Sequence, residues 1–224
     1  MSRRALSDRR PFLLLSLLFA TSYYFVMDGK VGGSWLSLWK GAGVGFLALY
    51  ALYRGSSRDG LLLAIVMTLC AVADVALEFS FAIGGALFAM AHIVAIALYW
   101  SNMRANLARS QIALATALII LTPVIAGFLA YPQPNWWWAT GYIALAGAMA
   151  ATAWTSRFPR YRTGLGAVLF VASDLLIVAS ASGQLATDTA DWVIWPLYYT
   201  GQLLIVLGVI RSINPARRDV PSKV

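Results

Sequence analysis

The stretch Gly60 to Trp100, GLLLAIVMTLCAVADVALEFSFAIGGALFAMAHIVAIALYW, constrains the rest of the chain most tightly. It holds two apolar runs, each of about the 20 residues that a helix needs to cross the hydrocarbon of a bilayer. Inside those runs lie Asp74, Glu78 and His92. An ionisable side chain in hydrocarbon costs roughly 3 kcal/mol or more, so those found there face a bundle interior or a polar cavity. Asp74 and Glu78 stand four residues apart and share one helix face. The turn that follows is too short for the next helix to pack anywhere but beside the first, which brings His92 to the same region. The pattern predicts one intramembrane pocket shared by three titratable groups.

Composition supports a membrane setting. Of the 224 residues 60% are hydrophobic and 12% charged, and the mean hydropathy is +0.73. A soluble domain carries about 25% charged residues. The net charge of +8 does not point to nucleic acid, because 15 of the 17 Lys and Arg stand at the ends of apolar runs, where membrane topology accounts for them. The single cysteine, Cys70, lies within an apolar run and reads as a small buried hydrophobe. One cysteine excludes an intrachain disulfide framework and a thiolate metal site. Arg3, Arg4, Arg9 and Arg10 precede the first run in the manner of a signal peptide. That run continues through Tyr23, Tyr24 and Phe25 without a small-x-small cleavage site, so it reads as a first span.

The expected fold is all-α: a polytopic membrane protein, one transmembrane domain over residues 1–224, built as a bundle of eight helices. The spans are expected at about 11–27, 34–53, 60–79, 81–101, 110–130, 135–155, 161–180 and 191–210. Only helices satisfy their own backbone hydrogen bonds in lipid. Pro11 suits a first helical turn, and Pro123 is expected to kink the fifth span. The charges alternate by side. Arg3, Arg4, Arg9, Arg10, Arg54, Arg58, Arg104, Arg109, Arg157, Arg160, Arg162, Arg211, Arg217, Arg218 and Lys223 fall on one side. The other side offers Lys30 against Asp28, Asp188 and Asp191. This is the positive-inside pattern with both termini cytoplasmic, and the cell (inner) membrane is the expected location. Tyr131 and the run Trp136-Trp137-Trp138 read as an aromatic belt at the outer interface. A short internal echo, AVADVAL in the third span and VASDLLI in the seventh, suits two parallel halves.

At about 1.5 Å per residue, Asp74 and Asp174 both lie roughly 20 Å from the cytoplasmic starts of their spans. Lys40, Glu78, Tyr198, Tyr199 and Gln202 share their layer, and His92 lies near the midplane. Several of these residues have plainer explanations. Lys40 suits a snorkelling position, and Glu78 is close enough to its helix end to be solvated. His92, Tyr198, Tyr199 and Gln202 suit interhelical hydrogen bonding. Asp74 and Asp174 have no short route to water, and a salt bridge to Lys40 accounts for only one of them. Desolvation and mutual repulsion favour one neutral acid, and a nearby Lys favours one carboxylate. That division suits acid-base hydrolysis of an acid-labile bond. A proton pathway uses the same parts.

Four ordered blocks resemble the YhhN-like lysoplasmalogenases. AVADVALEFSFAIGGALFAMAHIVAIALYW resembles the family's Gly-Asp segment, Phe-Gly turn and Ala-His helix. GAVLFVASDLLIVAS is similar to its Gly-x-x-x-Phe-x-x-Ser-Asp segment, and YYTGQLLIVLGVI to its closing Tyr-Tyr-x-x-Gln helix. Lys40 matches the lysine of its second span. The chain departs at Ala73, where the family has Gly before the first Asp, and at Gly41, where it has Pro after the lysine. Both departures bear on local helix geometry and substrate preference.

The resemblance implies eight transmembrane helices and hydrolysis of the vinyl ether bond of a lysoplasmalogen. The products are a fatty aldehyde and glycerophospho-ethanolamine or -choline, and no metal or organic cofactor is implied. Asp74 and Asp174 are the expected catalytic pair, with the acid and base roles unassigned. Lys40 either binds the phosphate or holds one Asp ionised. Glu78, His92, Tyr198, Tyr199 and Gln202 are expected to bind or orient the substrate, the water and the carboxylates. The expected partners are a lysophospholipid substrate and membrane lipids, with no nucleic acid. The rival readings are a proton-coupled transporter of a small molecule or lipid, an intramembrane aspartyl protease, and a scaffold with structural ion pairs. The contexts Ala-Asp-Val and Ser-Asp-Leu do not resemble the protease motifs.

Overall fold

A computed structural model of the chain describes residues 10–27 and 33–214, apart from the side chains of residues 187–189. Arg3, Arg4, Arg9, Asp28, Lys30, Arg217, Arg218 and Lys223 lie outside the described residues, as does the side chain of Asp188. The described residues form eight α-helices: α1 (Pro11–Val26), α2 (Ser34–Arg54), α3 (Arg58–Leu77), α4 (Phe81–Trp100), α5 (Arg109–Ala130), α6 (Trp136–Thr155), α7 (Leu165–Ala181) and α8 (Thr187–Ile213). A single π-helical turn, Arg160–Gly164, leads into α7.

The expectation of eight membrane spans is met in number of helices but not in length for all of them. Six are long and apolar enough to cross a membrane: α2, α3, α4, α5, α7 with its π turn, and α8. The 16 residues of α1 rise about 24 Å, short of a typical hydrocarbon core of about 30 Å. The 20 residues of α6 begin with Trp136, Trp137 and Trp138, which favour the interface over hydrocarbon.

Local sequence explains the central hairpin. Ser57 Oγ accepts from the Gly60 N–H at 3.2 Å and starts α3, whose first turn also carries Asp59 at the positive end of the helix dipole. Ser80 Oγ accepts from the Ile83 N–H at 3.4 Å and starts α4. Between them the chain reverses in Glu78, Phe79 and Ser80, so α3 and α4 pack side by side. The other helices close a ring. α2 packs on α1 and α3, α4 on α6, α5 on α6 and α7, α7 on α8, and α8 returns to α1, α2 and α3.

α7 and α8 approach each other closely at Gly166 and Gly201. A Cβ on Gly201 would meet the Gly166 carbonyl at 2.6 Å. Small residues at a crossing let two backbones approach this far, and packing of this kind drives association in membranes, where tails and side chains are equally apolar. The crossing sets Tyr198, one turn along α8, beside Phe170 with ring centroids 5.1 Å apart. Polar contacts fix α1 on the outside of the ring. Ser16 Oγ donates to the Gly43 carbonyl at 2.6 Å and lies 2.7 Å from the Tyr199 hydroxyl, and the Trp195 indole donates to the Ala20 carbonyl at 3.0 Å.

The two ends of the bundle differ. At one end lie Arg54, Arg58, Arg104, Arg109 and Arg157, where several contacts join neighbouring loops. Asp59 accepts from Asn102 at 3.1 Å and from Arg157 at 3.0 Å. Arg104 donates to the Ser156 and Phe158 carbonyls at 2.7 and 3.1 Å, and Asn214 donates to the Arg54 carbonyl at 2.6 Å. At the other end a cavity opens between the helices.

Candidate functional site

The cavity has a volume of about 740 Å³, within the range of about 300–1,000 Å³ common for small-molecule sites. Its floor holds Asp74 from α3 and Asp174 from α7, with Tyr142 from α6, Tyr198 from α8 and Phe88 from α4. Its wall holds Lys40 and Glu78, and its mouth Gln133, Asn135, Trp136 and Asp191. The helix positions explain the depth. Asp74 stands one turn inside the end of α3, and Asp174 two turns inside the end of α7, so both side chains reach the floor from above.

Both carboxylates are buried, Asp74 at 2% and Asp174 at 5% exposure. Each accepts a hydrogen bond from a phenol. The Tyr198 hydroxyl donates to Asp74 Oδ2 at 2.8 Å, and the Tyr142 hydroxyl donates to Asp174 Oδ2 at 2.9 Å. Interhelical bonds of this type contribute about 1–2 kcal/mol in model peptides, and these two leave each carboxylate with an oxygen free of the phenol. Asp74 also lies within the fields of Lys40, Asp174 and Glu78.

The two arms are not alike. His92, 2% exposed, lies behind Tyr142 with Nε2 3.3 Å from the phenol oxygen and 3.8 Å from Asp174 Oδ2. His92, the Tyr142 phenol and Asp174 thus form one chain of polar contacts. The Phe170 ring supports it from below, 5.0 Å from the imidazole and 5.9 Å from the Phe88 ring.

The other expected site residues take distinct places. Lys40 and Glu78 pair at 3.8 Å on the cavity wall, with side-chain exposures of 20% and 48%. Lys40 is thus neither free at the interface nor bonded directly to an aspartate. Tyr199 turns away from the cavity to Ser16. Gln202 is fully buried next to Cys70 and Tyr198, behind the floor rather than on it, and neither of its amide atoms reaches a well-formed hydrogen bond. Tyr131, Trp137 and Trp138 are exposed at the mouth end, as a belt requires, but Trp136 and Trp138 also line the cavity.

Tyr142 is the site residue that sequence reasoning missed. Its signal was a spacing: four residues after Trp138, it points down the same face of α6 into the bundle. Among the described residues no group of three His, Cys, Asp or Glu side chains is placed to hold a metal ion.

What the arrangement offers is a polar floor beneath an amphipathic cavity. Two carboxylates held by phenols can exchange protons with a bound molecule, and a lysine and a glutamate can meet a charged group nearer the mouth. No curated protein and no solved structure matches the chain. A family model, described as the YhhN family, matches residues 35–209, a stretch that runs from the start of α2 to the last turns of α8 and includes both carboxylates and both phenols. Since that match covers well over half of the sequence, the chain belongs to the YhhN family.

Proposed function

We propose that the protein is a membrane hydrolase that cleaves the vinyl ether bond of a lysoplasmalogen. The observation that carries this reading is the pair Asp74 and Asp174, each buried, each held by a tyrosine, and both lining one cavity. A vinyl ether is stable to base and labile to acid, so its cleavage needs a proton donor and a partner that tolerates positive charge.

In the reaction a neutral carboxylic acid gives its proton to the vinyl carbon remote from oxygen, and the C=C pair forms the new C–H bond. The carbon next to oxygen becomes an oxocarbenium ion. The second carboxylate stabilises that cation and takes a proton from an attacking water. The hemiacetal collapses to the fatty aldehyde and the glycerol hydroxyl, with one water consumed. Glycoside hydrolysis uses the same logic of two carboxylates flanking an oxocarbenium-like transition state. Tyr142 and Tyr198 are positioning residues that aim one oxygen of each carboxylate. His92 acts through Tyr142. Lys40 meets the phosphate near the wall, and Glu78 meets the ammonium of the headgroup. The arginine-rich end faces the cytoplasm and the mouth faces the opposite side of the cell membrane.

The test is aldehyde release from a lysoplasmalogen by the purified, detergent-solubilised protein, beside Asp74→Asn and Asp174→Asn with folding checked. Release by wild type and by neither variant is the expected result. A well-folded wild type that releases no aldehyde overturns the assignment.

A further inference from the structure

A buried charge is costly unless it has a partner, and a buried carboxyl without one carries a proton instead. The charges around this cavity divide unevenly on that rule. Three carboxyl groups stand at its floor and wall, Asp74, Glu78 and Asp174, with a fourth, Asp191, at the mouth. Beside the three stand two side chains that can carry positive charge, Lys40 on the wall and His92 behind the floor. Each of these has a carboxyl of its own. Lys40 Nζ lies 3.8 Å from Glu78 Oε1, and His92 Nε2 lies 3.8 Å from Asp174 Oδ2. Asp74 is left over.

The neighbours of each aspartate make the difference plain. Among the described residues no basic side chain forms an ion pair with Asp74. The groups that face it are Tyr198 from α8, Lys40 from α2, Glu78 one turn along α3, and Asp174 from α7. Lys40 pairs with Glu78 and not with Asp74, and Glu78 and Asp174 set two acidic groups against its one cation. Asp174 faces His92 from α4 and Tyr142 from α6. The Cys70 thiol lies near both aspartates. His92 and Asp174 are both buried, so solvent ions screen their attraction little.

We propose that Asp74 is the acid that gives the first proton, that Asp174 is the base that takes one from water, and that His92 is a positioning residue whose positive charge holds Asp174 ionised. The assignment rests on the reading of the cavity as a two-carboxylate hydrolase and fills the roles which that reading leaves open. The Asp74 O–H proton goes to the vinyl carbon, and the C=C pair forms the new C–H bond. The attacking water then gives a proton to the Asp174 carboxylate. As the hemiacetal collapses, the Asp74 carboxylate takes its hydroxyl proton, and Asp174 returns a proton to the glycerol oxygen as the C–O bond breaks. Both aspartates end as they began. With His92 charged, the two carboxyls, the imidazole and the reacting group sum to zero charge at every step, so no stage leaves a bare charge in the bundle.

The test reads protonation directly and needs no turnover. The full chain in phosphatidylcholine nanodiscs at neutral pH is compared with Asp74→Asn and Asp174→Asn by infrared spectroscopy, in which a protonated carboxyl gives a C=O stretch that shifts in D2O. The wild type shows such a band, Asp74→Asn loses it, and Asp174→Asn keeps it. His92→Gln gains a second band, because Asp174 then has no cation. In turnover His92→Gln loses about tenfold or more at neutral pH, the scale of a lost general base, and recovers rate as rising pH strips the proton from Asp174. A His92 that served packing alone would add no band and move no limb of the pH profile, and that result overturns its role. A band lost in Asp174→Asn and kept in Asp74→Asn overturns the assignment, as does a wild type with no band that either variant removes. Should His92→Gln fail to fold, the spectra of the two Asn variants decide alone. Expected bands in a wild type that releases no aldehyde keep the proton assignment and lose the vinyl ether; aldehyde release with the opposite bands keeps the hydrolase and loses the assignment.

Discussion

The two ends of the bundle handle charge in opposite ways. At the closed end Asp59 uses both carboxylate oxygens, one on Asn102 and one on Arg157, and Arg104 caps two loop carbonyls. Those charges join neighbouring loops to one another. At the open end Asp74 and Asp174 each accept one phenol on one oxygen and have a second oxygen that no phenol holds, and Lys40 meets Glu78 at 3.8 Å, beyond hydrogen-bond range. Saturated charges hold structure, and charges left with spare capacity are placed to act on something else. If that contrast is right, substitutions at the open end change turnover at constant stability, and substitutions at the closed end do the reverse.

The largest effect is expected at the floor. Asp74→Asn and Asp174→Asn each keep an oxygen to accept the phenol but lose the transferable proton or the negative charge. Loss of a positioned general acid or base lowers rates about 10²–10⁴-fold. Each variant should lose aldehyde release by that order in a steady-state assay, with an unchanged thermal midpoint. A variant that keeps more than about a tenth of wild-type turnover, a shift of less than 1.4 kcal/mol, removes its residue from the reaction.

The phenols come next and separate the two arms. Tyr198→Phe deletes one hydrogen bond to Asp74, and Tyr142→Phe deletes the bond to Asp174 and also unlinks His92. A net hydrogen bond to a charged group contributes about 1.5–3 kcal/mol, so kcat should fall about tenfold or more in both, and further in Tyr142→Phe. KM should hold, because the phenols act on the carboxylates. A rise in KM with kcat unchanged would recast the tyrosines as substrate binders.

These arms also show how much the sequence could disclose. The α3–α4 hairpin was legible because two apolar runs with Ser57 and Ser80 at their starts have one economical fold. Asp74 and Asp174 were legible because a carboxylate in hydrocarbon has few harmless explanations. Tyr142 was not, because an aromatic four residues from a tryptophan run is fully explained by an interfacial belt. Nor was the divergence of Tyr198 and Tyr199. Adjacent helical residues point about 100° apart, and only the packing of α8 against α3 on one side and α1 on the other decides which phenol meets an aspartate and which meets Ser16. Lys40 was legible as a buried charge, but its partner depended on how far α3 extends: Glu78 caps that helix and brings its carboxylate back over α2. The shortness of α1 was hidden because its run is as apolar as the others.

A smaller effect is expected at the wall. Lys40→Gln removes the cation from the cavity while the residue stays one-fifth exposed. Partly solvated ion pairs contribute up to about 1 kcal/mol, so KM for a phosphate-bearing lysoplasmalogen should rise about threefold to fivefold. A simple alkyl vinyl ether without phosphate should show no change. An equal effect on both substrates would place Lys40 on the carboxylates instead of the headgroup.

The closed end supplies the smallest effect on turnover and the sharpest check on the contrast. Asp59→Ala removes the acceptor for Asn102 and Arg157 and the acidic residue in the first turn of α3. The Arg157 side chain is 61% exposed, so that pair is screened by solvent and contributes little. The Asn102 amide keeps its bond to the Leu98 carbonyl at 2.9 Å, so it is not left bare. The total cost is therefore about 1 kcal/mol, mostly from the lost helix-terminus charge and one hydrogen bond. Thermal unfolding in detergent should fall by a few degrees, while kcat per folded molecule stays within about twofold, since a difference below 0.4 kcal/mol in barrier is all that twofold represents. A tenfold loss of kcat in folded Asp59→Ala would mean that α3 transmits strain from its capped start to Asp74, some 15 residues and roughly 22 Å along the helix. In that case the two ends would form one mechanical unit, and the division between charges that hold and charges that act would fail.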